Sequence, residues 1–455
     1  MVSILEVSMS FHVDPEVETR PEPAQRERDR HAYRVQLAYL FDHSSFYRRK
    51  LTEAGFPDAT DAGDLDGIAA LPFTTKDEIR RSQAEHPPYG DHLAAPADGI
   101  RRVYSTSGTT GEPCYIPVTA ADLGTWSRIG ARSYTSAGVR AAQRIVLTYN
   151  AGPFVAGAVL DSLTAIGATV IPVGSGNTER VVRAFQRLGA ETLACTPSYA
   201  LYLTEWCAAR GLDPAGLGVR RLCLAGEPGG GEAAIRSQLE AAFRAIVTEA
   251  MGIGDVSPSL WGECDDQQGM HFCGQDYVHI ELVDPASGQP LAWRDGAEGE
   301  LVYTALRREA VPMLRLRSRD RVVVNARPCP CGRTSVRVRC VGRTDDLLIV
   351  RGVNVFPTAV RAVVHEFRPR VSGAVLIRPR ITGVRQDQPP TVLVELADAE
   401  QPDDGLAGEI ETAIRAKLVA RMRVELVRPG TLPRSEYKLQ LVDYPAGPPE
   451  TPAER

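Results

Sequence analysis

The 455-residue sequence predicts an α/β protein of two domains. The large N-terminal domain, residues 1–344, has parallel sheets covered by helices plus a β-rich subregion, and the small C-terminal domain, residues 345–443, is α+β. Three observations predict this. Short apolar strands alternate with helical stretches through the middle of the chain, as in a largely parallel sheet. From His279 to Val324 the pattern turns strand-rich and Gly/Pro-punctuated, as in an antiparallel subregion. Beyond Gly342-Arg343-Thr344-Asp345, strand and helix patterns fill about 100 residues, a normal size for a small domain.

The elements follow in order. Residues from about Met9 to Arg30 are polar, with Pro, Glu and Arg prominent, so residues 1–30 read as an extended lead-in. From Ala32 to Ala54, helical periodicity places Leu37, Leu40, Phe41 and Leu51 on one inner face. In LPFTTKDEIR, Thr75 is placed to cap a helix that opens with Lys76-Asp77-Glu78. Parallel strands are read in RIVLTYN from Arg144, ATVIPVG from Ala168, ETLACTP from Glu191 and VRRLCLAGEP from Val219. HIELVDP, GELVYTAL and MLRLRSRDRVVV supply the antiparallel part. The small domain runs through DLLIVRG, a helix from about Pro357, VSGAVLIRP, PTVLVELAD, a helix from about Gly405, and VELVRP. The Pro-rich tail, 444–455, is expected to be disordered.

Composition narrows the function. Hydrophobic residues make up 43% and charged residues 24%, the balance of an ordinary globular protein. The net charge of -5 offers no basic field for nucleic acid. No apolar run approaches the ~20 residues that span a bilayer. The start, MVSILEVSMSFHVDPEVETR, has no basic leader region and no cleavage site. The expectation is a cytoplasmic protein without a nucleic-acid or membrane partner. Nine Cys are scattered through the chain, so a disulfide framework is not expected. Cys195, Cys207 and Cys223 lie in apolar runs and read as buried thiols.

The strongest local signal is Ser105-Thr106-Ser107-Gly108-Thr109-Thr110-Gly111-Glu112-Pro113. Small residues let the backbone curl around an anion, and amide and hydroxyl groups then donate to it. No GK[ST] follows, so this is not a P-loop. The string resembles the phosphate-binding signature of the adenylate-forming superfamily, which includes acyl-CoA synthetases, adenylation domains and luciferases. Its surroundings resemble the phenylacetate–CoA ligase branch: LPFTTKDEIR, LAGEP at Leu224–Pro228, RLRSRD at Arg315–Asp320, GRTDDLLIVRGVNVFP at Gly342–Pro357 and LPRSEYK at Leu432–Lys438 stand in the family's order.

The resemblance implies an AMP-forming acid ligase. It would activate a carboxylic acid with ATP and Mg²⁺ and pass the acyl group to coenzyme A. Ser105, Thr106, Ser107, Gly108, Thr109, Thr110 and Gly111 would cradle the phosphates, with Thr109 also counted as catalytic. Gly226, Glu227 and Pro228 match the adenine-side segment. Asp320 matches the carboxylate that grips both ribose hydroxyls, a role suited to a group that accepts two hydrogen bonds; outside the motif it would read as a salt-bridge partner of Arg317, Arg319 or Arg321. Arg343 matches a nucleotide-contacting arginine and Asp345 the hinge about which the small domain turns. Lys438 matches the lysine that bridges the acyl carboxylate and the α-phosphate, where negative charge is redistributed in the transition state. In Met251-Gly252-Ile253-Gly254-Asp255, Met251 stands where the family carries an aromatic against adenine, and Asp255 where it carries a Glu that helps hold Mg²⁺. Tyr437 stands where Gly is common.

A second cluster is independent of the nucleotide motifs. Cys264 and His271, spaced Cys-x₆-His, plus Cys329 and Cys331, spaced Cys-x-Cys, can supply three thiolates and one imidazole. That is a closed, structural zinc set, with Cys273 as the alternative fourth ligand to His271. The acyl pocket is expected around Tyr149, Ala151, Gly152, Phe154, Thr196 and Pro197, by the family's layout; an aromatic or arylacetic acid is a family inference. Three alternatives stay open: an amine or other nitrogen nucleophile as acceptor, a carrier-protein thiol as acceptor, and a nucleotide-binding protein without catalysis. A homodimer is also compatible with the sequence.

Overall fold

The computed structural model describes residues 12–106, 114–149, 155–398, 404–434 and 440–445. The N-terminal layer is helical: α1 (Pro15–Glu18), α2 (Glu22–His43), α3 (Ser45–Glu53) and α4 (Lys76–Glu85). A separate antiparallel hairpin, β1 (Arg102–Ser105) and β2 (Tyr115–Val118), precedes α5 (Ala120–Ser136). The alternating region then runs β3 (Arg144–Leu147), α6 (Val159–Ala165), β4 (Thr169–Pro172), α7 (Thr178–Leu188), β5 (Thr192–Cys195), α8 (Pro197–Ala208), β6 (Arg221–Ala225), α9 (Ala233–Phe243) and β7 (Ile246–Ile253). The strand-rich region is β8 (Ser257–Glu263), β9 (Met270–Phe272), β10 (Val278–Val283), β11 (Glu298–Ala305), β12 (Leu316–Asn325) and β13 (Arg337–Arg343). The small domain comprises β14 (Leu348–Val350), β15 (Val353–Val355), α10 (Pro357–His365), β16 (Val371–Arg378), β17 (Arg385–Gln386), β18 (Thr391–Leu396), α11 (Asp404–Leu418) and β19 (Arg423–Val427).

The parallel and antiparallel parts form one 11-stranded sheet, ordered β10-β11-β12-β13-β9-β8-β7-β6-β5-β3-β4. β7 is the seam: it pairs parallel with β6 and antiparallel with β8. Burial follows this division. β5 is buried at all four positions, as in a strand covered on both faces, whereas β12 alternates buried and half-buried residues along its length. Val181, Phe185, Leu203, Leu222, Leu239 and Val247 form the core under α7, α8 and α9. In the small domain Val360, Val364, Ile410 and Ile414 from α10 and α11 pack on β16 and β18. No helix among the described residues is long and apolar enough to cross a membrane.

Two expectations are corrected. The lead-in is not extended where described: α1 and most of the first turns of α2 lie within it. Ala, Gln, Glu and Arg are strong helix formers, and the polar groups find partners: Arg20 donates to Asp276 at 2.7 Å, and Gln25 to Asp29 at 2.8 Å and to Asp276 at 3.0 Å. The helix read over Ala32–Ala54 is broken at Ser44, whose side chain caps α3 by accepting from Tyr47 N; Leu37, Leu40, Phe41 and Leu51 are buried on both sides of the break. Thr75 caps α4 as expected, and with Glu78 makes a reciprocal capping box. Residues 446–455 of the tail lie outside the described residues.

Candidate functional site

The topology creates a crevice before any side chain is considered. β4 and β5 lie on opposite sides of β3, so the chain reverses its direction of travel across the sheet there. Loops that leave the carboxyl ends of such strands part and leave room for a ligand. Tyr149 follows the end of β3, Thr196 the end of β5 and Gly226 the end of β6, while Met251 and Gly252 lie at the end of β7. The Tyr149 hydroxyl donates to the Cys195 carbonyl at 2.7 Å and to the Ala225 carbonyl at 3.3 Å, tying the three strand ends together. Thr196 caps α8 by accepting from Tyr199 N, and Pro197 occupies the first turn, where a missing N–H costs nothing. Glu227 accepts from Ser198 N at 2.8 Å. Gly226 has φ +98°, open to glycine. At Gly252 a Cβ would lie 2.3 Å from the Pro258 backbone, so the close strand crossing requires glycine there. Met251 is half-buried against the core, opposite Trp261.

The Gly-rich loop joins β1 to β2. Ser105 pairs with Tyr115, and Thr106 N donates to the Cys114 carbonyl at 3.0 Å, so the neck of the loop is a ladder. The Thr106 hydroxyl is buried with no partner among the described residues. Ser107, Gly108, Thr109, Thr110 and Gly111 lie outside the described residues, as do Ala151, Gly152, Phe154 and Lys438.

Asp320 on β12 stands directly across from Arg343 on β13, and Arg343 donates to it at 3.0 Å. Its sequence neighbours are engaged elsewhere: Arg317 with Glu300, Arg319 with Asp77 and Asp345, and Arg321 with Glu298. Burial pushes the Asp320 carboxyl up, and the Arg343 guanidinium opposes the shift. Arg343 also forks onto both Asp345 oxygens at 2.9 Å. The residue matched to ribose binding and the residue matched to the hinge therefore share one arginine. Asp255 is buried, and Lys76 holds it at 2.7 Å. The sequence places Lys76 only in a helix start; its position in LPFTTKDEIR, one of the strings that resemble the family, was the available signal.

Below the adenine-side segment lies a buried acidic pair. Glu263 accepts from Arg236, and from Glu249 N at 3.1 Å, while Arg236 also donates to the Gly230 carbonyl at 2.9 Å. Burial and the neighbouring Glu263 push the Glu249 carboxyl up to about 7. Its protonated form is thus favoured by folding, and the associated stability, complete below pH 4.5, is lost as pH rises through about 7. Glu249→Gln, which keeps the neutral shape, is expected to melt with the wild type at pH 5 and above it at pH 8. Equal melting temperatures at pH 8 would contradict the assignment.

The cysteine cluster is gathered by β8, β9 and the loop before β13. Ligand atoms of Cys264, His271, Cys329 and Cys331 all lie within 4.8 Å of one another. Cys264 Sγ is 3.6 Å from Cys329 Sγ, and Cys331 Sγ is 3.3 Å from His271 Nε2. A tetrahedral zinc with bonds of about 2.3 Å to sulfur sets its ligand atoms roughly 3.5–4 Å apart, so the set fits that ion. His271 Nδ1 lies 3.4 Å from the Ser335 carbonyl, an outer contact that orients Nε2 inward. Cys273 is not in the group; its thiol is turned to the His271 carbonyl. Arg333, ion-paired with Glu18, adjoins Cys331 and balances part of the thiolate charge.

The chain matches the family described as AMP-binding enzyme over residues 19–305, and the AMP-binding enzyme C-terminal domain over residues 352–443. It is 35% identical over 441 residues to the phenylacetate-coenzyme A ligase of Thermus thermophilus, covering 93% of this chain and 96% of that protein. Among solved structures it is similar to 2-hydroxyisobutyryl-CoA ligase in the postadenylation state with R3-HIB-AMP, at TM-score 0.88 and 26% identity, covering 98% of this chain and 94% of that one. Against the same enzyme in its thioesterification state with 2-HIB-AMP and CoA, the TM-score is 0.70 at 28% identity, covering 94% and 91%.

Proposed function

The chain belongs to the AMP-binding enzyme family, and from that premise we propose how its residues activate a carboxylic acid. It is an AMP-forming acid ligase that makes an acyl-adenylate and then a coenzyme A thioester. The observation that supports the residue assignment is the switch point at the carboxyl ends of β3, β5 and β6, where Tyr149, Thr196, Gly226 and Glu227 follow the strands. The Ser/Thr-rich loop beyond Thr106 would donate to the phosphates, fixed donors being the effective form of charge stabilisation. Asp320 would accept from the ribose, with the Arg343 guanidinium beside it favouring its charged form against burial. Asp255 would help hold Mg²⁺, which neutralises phosphate charge when bound; Lys76 then shares or yields that carboxylate. Lys438 would neutralise the reacting carboxylate and α-phosphate. A structural zinc held by Cys264, His271, Cys329 and Cys331 would brace β8, β9 and β13 without an open coordination position.

We further propose an aromatic or arylacetic acid as substrate, because the curated relative is a phenylacetate ligase and Tyr149 lies at the crevice. The likeness to 2-hydroxyisobutyryl-CoA ligase favours a second reading, a small hydroxy acid. The better overlay on the postadenylation form supports an adenylating pose of the small domain here. With the correct acid, chromatography of the nucleotides is expected to give AMP and pyrophosphate; ADP with inorganic phosphate would end the adenylate mechanism. A panel including phenylacetate and 2-hydroxyisobutyrate, run with coenzyme A, amines and a carrier protein separately, assigns acid and acceptor.

A further inference from the structure

The segment Gly226–Gly231 carries few side chains able to hold it. A Cβ at Gly229 would lie 2.8 Å from Pro197 Cβ, and one at Gly231 would lie 2.6 Å from a Glu249 carboxylate oxygen, so the segment is shaped by close approach. From the sheet side, Arg236 fixes the Gly230 carbonyl. From the other side, Arg361 of α10 in the small domain donates to the Pro228 carbonyl at 3.0 Å and to Glu232 at 2.6 Å. Arg361 is 5% exposed. Other cross-domain contacts either adjoin the boundary, as Arg343 and Arg319 with Asp345 and the Thr358 hydroxyl donating to the Val341 carbonyl at 3.1 Å, or involve exposed groups, as Arg434 with Glu205 and Arg368 with Gln238. Exposed pairs are screened and weak, whereas truncating one partner of a buried, hydrogen-bonded pair leaves the other charge unmatched. Away from the domain boundary, Arg361 with Glu232 and the Pro228 carbonyl is the buried charged cross-domain contact among the described residues.

We propose that Arg361 is a positioning residue: its guanidinium latches the small domain in the adenylating pose and, in the same contact, fixes the Pro228 carbonyl and with it the adenine-side segment. Rotation of the small domain about the Asp345 region withdraws α10, so the latch exists in one pose only. The inference rests on the acid-activating reading above for its kinetic arm, but not for its conformational arm.

Arg361→Ala is expected to slow acid-dependent pyrophosphate exchange about 10-fold or more, by the usual cost of truncating a buried charge pair, and to raise the KM for ATP. Transfer from supplied acyl-adenylate to coenzyme A stays within about 2-fold, since that step does not use the latch. The charge swap Arg361→Glu with Glu232→Arg regains part of the exchange rate; Glu232→Arg alone does not. The conformational arm uses genetically encoded labels at exposed Leu188 and Val419. Their distance distribution broadens in Arg361→Ala and narrows again in the swap. Equal loss at both steps, or a distribution identical to the wild type, overturns the latch. The distance measurement needs no acid, so a failure of acid activation and a failure of the latch are seen separately.

Discussion

Replacing Lys438 by alanine is expected to slow acyl-adenylate formation about 10²-fold or more while sparing the second step, in line with the loss of one preorganised charge from a transition state. The α-phosphate and the acyl carboxylate repel each other as they approach, and an ammonium between them is worth most where their charge is being redistributed. The thioester step starts from an acyl-adenylate, whose acyl carbon no longer bears a carboxylate charge, and an incoming thiol; with no two anions to bring together, it does not need that cation. Lys438 lies outside the described residues, but the chain on either side of it is anchored. Before it, Arg434 grips Glu395 at 2.5 Å and Leu432 N donates to Glu395 at 2.9 Å. After it, Ile377 N donates to the Leu441 carbonyl and Asp443 N to the Ile377 carbonyl, both at 2.8 Å. With both flanks anchored on the small domain, Lys438 is expected to travel with that domain. Pyrophosphate exchange reports the first step and transfer from supplied acyl-adenylate the second. Equal slowing of both steps would remove Lys438 from the first transition state.

How far the sequence was legible depended on whether a role is local. The strands after Arg144, Glu191 and Val219 could be read because each is a short apolar run bounded by turn residues, and each lies where expected. Thr75 could be read because a capping box is written within four residues. The lead-in was misread because its polarity suggests solvation, yet Arg20 and Gln25 find Asp276 more than 250 positions away. No window along the chain contains that pairing. Asp320 shows the same limit inside a recognised motif: its arginine partner is not a strand neighbour but Arg343, brought opposite by the β12–β13 register. Side chains at adjacent positions of a strand point to opposite faces, so the nearest charges in sequence were the wrong ones. The pairings of Lys76 with Asp255 and of Arg361 with Glu232 were likewise not legible, because the fold, not the local sequence, sets those partners.

Stripping metal from the cysteine cluster is the other large effect expected. Protein purified without a metal-binding tag should carry about one zinc per chain, since three thiolates and a histidine bind it as a closed set. Metal affinity at such sites is folding free energy, because the ligands are gathered only in the folded state. The geometry suits a cation: the four ligand atoms lie within 4.8 Å of one another, and no other cation among the described residues is placed to balance three thiolates apart from the neighbouring Arg333. The consequences should spread by a definable route. Arg333 and Thr334, next to Cys331, hold the N-terminal strap: Arg333 donates to the Glu18 carboxylate at 2.8 Å, and Thr334 N to the Glu18 carbonyl at 3.0 Å. Asp14 in the same strap pairs with Arg132 of α5 at 2.7 Å. A strong chelator, or Cys329→Ser, should therefore lower the melting temperature by on the order of 5 °C or more. It should also speed hydrogen exchange in residues 12–20 and 326–336, while the cores under α7–α9 and in the small domain stay protected. Cys273→Ser should keep its zinc, because that thiol faces the His271 carbonyl rather than the cluster. A metal-free protein that folds normally and melts without regard to chelators would show the cluster to be three reduced, unliganded thiols and a buried histidine, and the strap would then rest on the Glu18–Arg333 and Asp14–Arg132 pairs and its Thr334 hydrogen bonds.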